Sequence, residues 1–230
     1  MIRTGMTLSL ILITALANSA DDIEWPAFGG ALGGGHYSEA TQINKENVDQ
    51  LIEAWQHRSG DFRGGNADLF DDVSEESRST GPTAFAVTPI MVRGSVYYCT
   101  PFNRVFALHP ATGAVKWVFD PKVDTTEESL TNCRGVSSWI DEENPTSSCG
   151  HRIMLGTLDG RLIAIDGATG KRCTEFGSNG EVSLSDGLND HDAFEYNITS
   201  APAIIGNLVI SGAQVTDSYR PDVPAGVVRA

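Results

Sequence analysis

Ala107-Leu108-His109-Pro110-Ala111-Thr112-Gly113 and Ala164-Ile165-Asp166-Gly167-Ala168-Thr169-Gly170 are one phrase written twice, 57 residues apart (164 − 107). In each copy the end of an apolar strand runs into an Ala-Thr-Gly turn. A third copy begins at Val227-Val228-Arg229-Ala230. Self-similarity at a long period signals stacked structural repeats. Outward from these phrases the chain reads as short strands. Ile90-Met91-Val92 runs to Arg93-Gly94, and Ser95-Val96-Tyr97-Tyr98 returns; Val115 to Phe119 returns after the first phrase. In the second unit, 152–157 meets Leu158-Asp159-Gly160, a hairpin signal because Asp-Gly accepts positive φ at low cost. In the third, Ala203-Ile204-Ile205 turns at Gly206-Asn207 and Leu208 to Ser211 returns.

Each unit is thus an antiparallel meander that cannot bury both faces alone, so neighbours must stack, as in a β-propeller. The spacings of 57 and 66 residues exceed the roughly 40–50 of common propeller repeats. The excess falls in two inserts, 121–150 and 176–198. The competing architecture is a β-sandwich with loosely similar hairpins. Upstream, 25–35 is Gly-rich, with Trp25, Phe28 and Tyr37 as aromatic anchors. Asn44 as a cap, with Val48, Leu51, Ile52 and Trp55 at helical spacing, predicts one short N-terminal helix. The polar stretch 60–83 reads as a long loop.

The 230 residues are 40% hydrophobic and 20% charged, a globular balance. A formal net charge of −14 argues against nucleic acid and against an anionic membrane surface. Residues 1–20 carry Arg3, the apolar run Leu8 to Ile13 and small residues before Asp21, which is the pattern of an export signal. The expected mature part is 21–230, with no membrane association after signal removal and a periplasmic location. Four cysteines, Cys99, Cys133, Cys149 and Cys173, allow three pairings. The expected pair is Cys133 with Cys149, which flank one loop-like segment, with Cys99 a buried thiol. No CxxC occurs, which weakens a zinc reading.

Phrases along 22–230 resemble the pyrroloquinoline-quinone (PQQ)-dependent dehydrogenases, most of all the glucose, quinate and polyol branch. They are Glu24-Trp25-Pro26-Ala27-Phe28-Gly29-Gly30, Thr41 to Val48 with Ala54-Trp55, Thr88-Pro89-Ile90, Cys99-Thr100-Pro101, Asn103 to Leu108, Cys133-Arg134-Gly135-Val136, Asp159 to Ala164 and Thr199-Ser200-Ala201-Pro202. The resemblance implies an all-β chain: two to three blades of a propeller of about eight four-stranded blades. Each blade would carry Ala-x-Asp-x-x-Thr-Gly-x-x-x-Trp, whose Trp packs between blades. Ala107 to Trp117 matches, with His109 for the Asp; the second copy keeps Asp166 but has Thr174 where Trp would fall.

The same resemblance implies an exported oxidoreductase acting on a sugar, polyol or other alcohol, with PQQ and a divalent metal (Ca or Mg) as cofactors. An electron acceptor such as a cytochrome or quinone would be its partner. PQQ is a flat tricarboxylate that needs cations and hydrogen-bond donors, and a metal that polarises its carbonyl. Arg134 stands in the family's Arg position, and its planar fork suits a carboxylate or quinone oxygen. Thr199 stands where the family has a hydroxyl donor. Gln214, Val215 and Thr216 would lie against the cofactor through their backbone, and Asp217 matches the first metal-binding carboxylate, apt for a hard cation.

There are departures. Ala86 replaces a Glu or Gln that contacts PQQ. Glu128-Ser129 replace adjacent cysteines of the methanol-oxidising branch. Phe102 replaces a substrate-region His. His191, between Asp190 and Asp192, reads as a loop histidine. The family's catalytic base lies beyond residue 230, so none of these residues is assigned as catalytic and the 230 residues alone are expected to be inactive. The alternative function is a non-catalytic propeller scaffold for protein interaction in the cell envelope, which would need neither Arg134 nor Asp217.

Overall fold

The computed structural model describes residues 23–30, 34–64, 82–125, 130–192, 195–217 and 220–230. The expected export signal over 1–20 lies outside them, as do 65–81 of the expected loop and Glu128-Ser129. The first meander comprises β2 (Ile90–Val92), β3 (Ser95–Cys99), β4 (Val105–Leu108) and β5 (Val115–Phe119), paired in that order. Its first hairpin closes on Arg93 and Gly94, both left-handed (φ 48 and 64), the mirror-image turn that matches strand twist. The second meander comprises β7 (Ser137–Ile140), β8 (His151–Gly156), β9 (Arg161–Asp166) and β10 (Glu181–Ser183), again in sequence order. A third unit starts with the hairpin β12 (Ala203–Ile205) and β13 (Leu208–Ile210). Two short ribbons accompany them: β1 (Thr83–Ala84) parallel to β6 (Thr131–Asn132), and β11 (Tyr196–Asn197) antiparallel to β14 (Gln214–Val215). The inserts read from the sequence as excess therefore hold strands: β6 and β7 in one, β10 and β11 in the other.

Register shows why the phrase recurs. Ala107 faces Tyr97, which faces Ile90; Ala164 faces Met154, which faces Ser137. A bridge between Ser211 and Arg229 opens the third strand of the third unit. One antiparallel step onward sets Ala230 level with Ile210, which faces Ala203. The three alanines hold one place in three units. Ala107 and Ala164 are fully buried, where a larger side chain would push neighbouring sheets apart.

Side-chain alternation then builds the stack. Ile153, Leu155, Ile163 and Ile165 pack on Ile90, Tyr97, Val105 and Ala107 of the first meander. Met154, Leu162 and Ala164 face the other way, toward Ile204 and Val209 of the third unit. The second sheet is thus buried on both faces, which is why 153–155 and 162–165 are continuous apolar runs. The outer face of the first sheet, Tyr98, Phe106 and Leu108, is covered by Trp55 and Val87.

Two expectations are corrected. The predicted N-terminal helix is a single 3₁₀ turn, Val48–Gln50, and the backbone at Leu51 is already extended. Val48, Leu51 and Ile52 are exposed, so their helical spacing has no core to face. From Trp55 onward alternate residues turn inward instead. The His57 ring lies 2.7 Å from the Tyr98 hydroxyl, Arg104 donates to Asp61 and to the Ser59 carbonyl, and Arg63 donates to the Thr125 carbonyl. The disulfides are Cys99–Cys133 and Cys149–Cys173. Cys133 precedes β7, whereas Cys149 lies beside its far end, since Ile140 pairs with His151. Flanking one segment had suggested that the two would meet; a strand running between them holds them apart. Cys99, expected as a free thiol, ends β3 beside Cys133.

Candidate cofactor site

Three chain segments run side by side just before the first strands of the three units. Thr131 N–H donates to the Pro82 carbonyl, and Thr83 and Ala84 pair with Thr131 and Asn132. Thr88 N–H then donates to the Arg134 carbonyl at 3.0 Å, and Arg134 N–H donates to the Thr199 carbonyl at 2.8 Å. The Cys99–Cys133 bond anchors the residue before Arg134, and Gly135 sits close under Ala201 and the Thr88 carbonyl. The Arg134 backbone is therefore held on three sides. Its side chain is exposed, with a guanidinium that meets no carboxylate among the described residues. Thr199 is buried directly beside it.

The same ladder leaves buried polar atoms without partners: Thr131 Oγ1, Asn132 Oδ1 and Asn197 Oδ1. Asn132 lies two residues before Arg134, and Asn197 two before Thr199. Buried polar atoms are normally satisfied, so the Asn132 and Asn197 oxygens are acceptors open to an outside hydrogen-bond donor. The exposed Arg134 guanidinium, carried on its fixed backbone, suits a polar anionic cofactor such as PQQ.

Gln214 and Val215 pair with Asn197 and Tyr196, and Thr216 N–H donates to the Glu195 carbonyl. The ribbon thus brings 214–216 next to the segment that leads to Thr199. Asp217 follows this stretch, two residues past the end of the Gln214–Val215 strand. It is exposed, and the tightest grouping of potential metal ligands among the described residues, Cys149, Cys173 and Glu175, is elsewhere and includes a disulfide. Asp217 accordingly offers one oxygen ligand, not an assembled metal site. His191 leans its ring on Tyr196 and bonds the Asn189 carbonyl, a loop role. Ala86 is exposed, and Phe102 lies under the Arg63 guanidinium.

One pair escaped sequence reading. Glu195 is fully buried and takes two bonds from Arg220, at 2.6 and 2.7 Å, and one from Asp192 N–H. The Arg220 bonds hold its carboxyl down to about 2. Glu195 also bonds Thr216, so this pair fixes the strand carrying 214–217. Nothing in two charged residues 25 positions apart announces it.

Residues 25–230 match the family model described as "PQQ: Glucose/ethanol/alcohol dehydrogenase, beta-propeller domain". The chain belongs to this family. The two meanders and the hairpin are blades of its propeller. Similar curated proteins include the quinate/shikimate dehydrogenase (quinone) of Acinetobacter baylyi, 33% identical over 90% of this chain and 26% of its own length. Quinoprotein glucose dehydrogenase A of Acinetobacter calcoaceticus is 35% identical over 90% and 26%. Quinoprotein glucose dehydrogenase of Escherichia coli is 36% identical over 90% and 25%. The chain spans about a quarter of the length of these relatives. Among solved structures, quinohemoprotein alcohol dehydrogenase from Comamonas testosteroni superposes with a TM-score of 0.61 at 26% identity, covering 86% of this chain and 24% of that one.

Proposed function

We propose that this chain forms part of the PQQ site of an exported quinoprotein dehydrogenase that oxidises a sugar, polyol or other alcohol. One observation carries the reading: Arg134, whose guanidinium meets no carboxylate among the described residues, has its backbone fixed between Thr88 and Thr199. Arg134 would bind a carboxylate or quinone oxygen of PQQ through paired donors. Thr199 would donate its hydroxyl, and Gln214, Val215 and Thr216 would line the ring with backbone. Asp217 would supply one carboxylate to a divalent cation, Ca or Mg, completed by groups outside the described residues. Bound PQQ supplies the two-electron acceptor for a substrate CH–OH group. The chain's own residues would orient that acceptor. The electrons would pass to a partner such as a cytochrome or quinone. Two disulfides support an oxidising, periplasmic setting. The scaffold alternative finds no support, since it gives Arg134 no role.

The test is direct binding. PQQ titrated into the 230-residue chain should bind saturably, and Arg134→Gln should weaken it about tenfold, the value of one charge-assisted bond. Equal affinity in wild type and variant would remove Arg134 from the site.

A further inference from the structure

A cleft of about 400 Å³ opens between the first two blades, lined by Arg93, Ser95, Lys116, Ser147, His151 and Gly167 among others. Its place excludes it from the site above. Arg134 and Thr199 precede the first strands of their blades. Arg93 lies in the turn after β2, and Lys116 lies just past the Ala-Thr-Gly turn. These are the opposite ends of the strands.

Two cations of the cleft meet no carboxylate among the described residues. Arg104, Arg152, Arg161, Arg172 and Arg220 each pair with a carboxylate. Arg93 and Lys116 do not. The Lys116 ammonium donates to the Gly94 carbonyl and Ser95 hydroxyl, both at 2.7 Å, and Arg93 donates to the Pro145 carbonyl. Each retains donors. Glu24 is close, but its carboxylate accepts the Arg93 backbone N–H. Asp166 also borders the cleft. Its oxygens accept from Thr169 N–H and O–H inside its own turn and from Cys149 N–H in the loop before β8. The buried His151 ring adds no charge, because burial keeps it neutral near neutrality. Arg93 and Lys116 thus keep unused N–H donors at the cleft, beside an Asp166 carboxylate whose oxygens are already engaged, an arrangement that can take an anion. The cleft is also within the size range of small-ligand sites.

We propose that this interblade cleft binds a small oxyanion, a phosphate or carboxylate group, held by Lys116 and Arg93. The shape is set by the left-handed Arg93–Gly94 turn and by the 145–147 loop to which Arg93 is tied. This proposal is independent of PQQ.

Inorganic phosphate and citrate, each titrated at constant ionic strength into the 230-residue chain, test it by amide shifts of Gly94 and Gly167. Saturable shifts at millimolar concentration with either probe are expected, and the preferred probe names the anion class. Lys116→Gln and Arg93→Gln should each weaken binding about tenfold, while Lys116→Arg retains it and Arg134→Gln leaves it unchanged. Shifts that never saturate, or equal affinity in the double Gln variant with native near-ultraviolet dichroism, would overturn the proposal. Should the Gln variants not fold, the wild-type titration decides alone.

Discussion

The first and second blades share a phrase and close in different ways. In the first, β5 runs from Val115 to Phe119 and pairs along β4 with a single irregularity at Lys116. Its Trp117 crosses to the second blade and donates to the Gly167 carbonyl at 3.0 Å. Trp55 does the same for the first blade, donating at 2.8 Å to the Pro110 carbonyl, the matching place in the phrase. The closing glycines explain themselves: Gly170 is left-handed (φ 71), and a Cβ there would lie 2.7 Å from Trp117. In the second blade the outer strand breaks. Arg172 bridges Ile165 and Cys173 bonds Ala164, the chain leaves over 174–180, and β10 resumes at Glu181. Thr174 falls in the excursion, where no tryptophan could reach a neighbour as Trp117 does. The Cys149–Cys173 bond ties this broken strand to the start of β8. One blade uses an aromatic on the next blade; the other uses a covalent link within itself.

That contrast can be broken experimentally. Replacing Cys149 and Cys173 by alanine should cost the most. A closed loop of separation 24 is worth about 3.5 kcal/mol of chain entropy, read as a lower urea midpoint. Trp117→Ala should cost about 3 kcal/mol, since it empties the seam between blades, and should leave both disulfides intact. A loss below 1 kcal/mol would mean that the seam is held elsewhere.

His151 sharpens the comparison through pH. Burial, with Arg93 nearby, pushes its pKa down to about 4. The unfolded imidazole protonates near 6.5, so from about pH 6.5 to 4 the unfolded state holds the extra proton. Stability is full above that window and falls as pH falls through it, by on the order of 2–3 kcal/mol. His151→Gln should flatten the slope of urea midpoint against pH there; an unchanged slope would assign it to other groups.

The smallest effect concerns the turns. Asp166 accepts from Thr169 N–H and O–H within its turn and from Cys149 N–H outside it, whereas His109 accepts one bond, at 3.3 Å from Ala111 N–H. Burial raises the Asp166 pKa, but bonds from Thr169, Cys149 and Ala168 outweigh it and leave the carboxyl below its usual range. His109→Asp should copy the local part of that network and raise stability by about 1 kcal/mol. No gain would show that the Asp works mainly through Cys149.

Much of this was legible in the chain. The meanders, their turns at Arg93-Gly94 and Asp159-Gly160, and the register of Ala230 follow from local patterns that the structure reproduces. Arg134 and Thr199 were readable as neighbours only through family phrases; their shared hydrogen bond spans 65 residues. Trp55 lies on an extended segment despite the helical spacing of Val48, Leu51, Ile52 and Trp55, because of the four only Trp55 meets a core. Glu195 and Arg220 had no sequence signal.

By itself, the sequence determined the repeat, the turn chemistry and the family. Each is written in short contiguous stretches, where backbone preference and side-chain alternation act locally. Tertiary structure alone decided which cysteines pair, that 51–64 is extended, that Glu195 and Arg220 meet, and that Lys116 and Arg93 share a cleft. Those outcomes depend on which strand ends stacking brings together. Residues far apart in sequence meet there only after register and blade order are set.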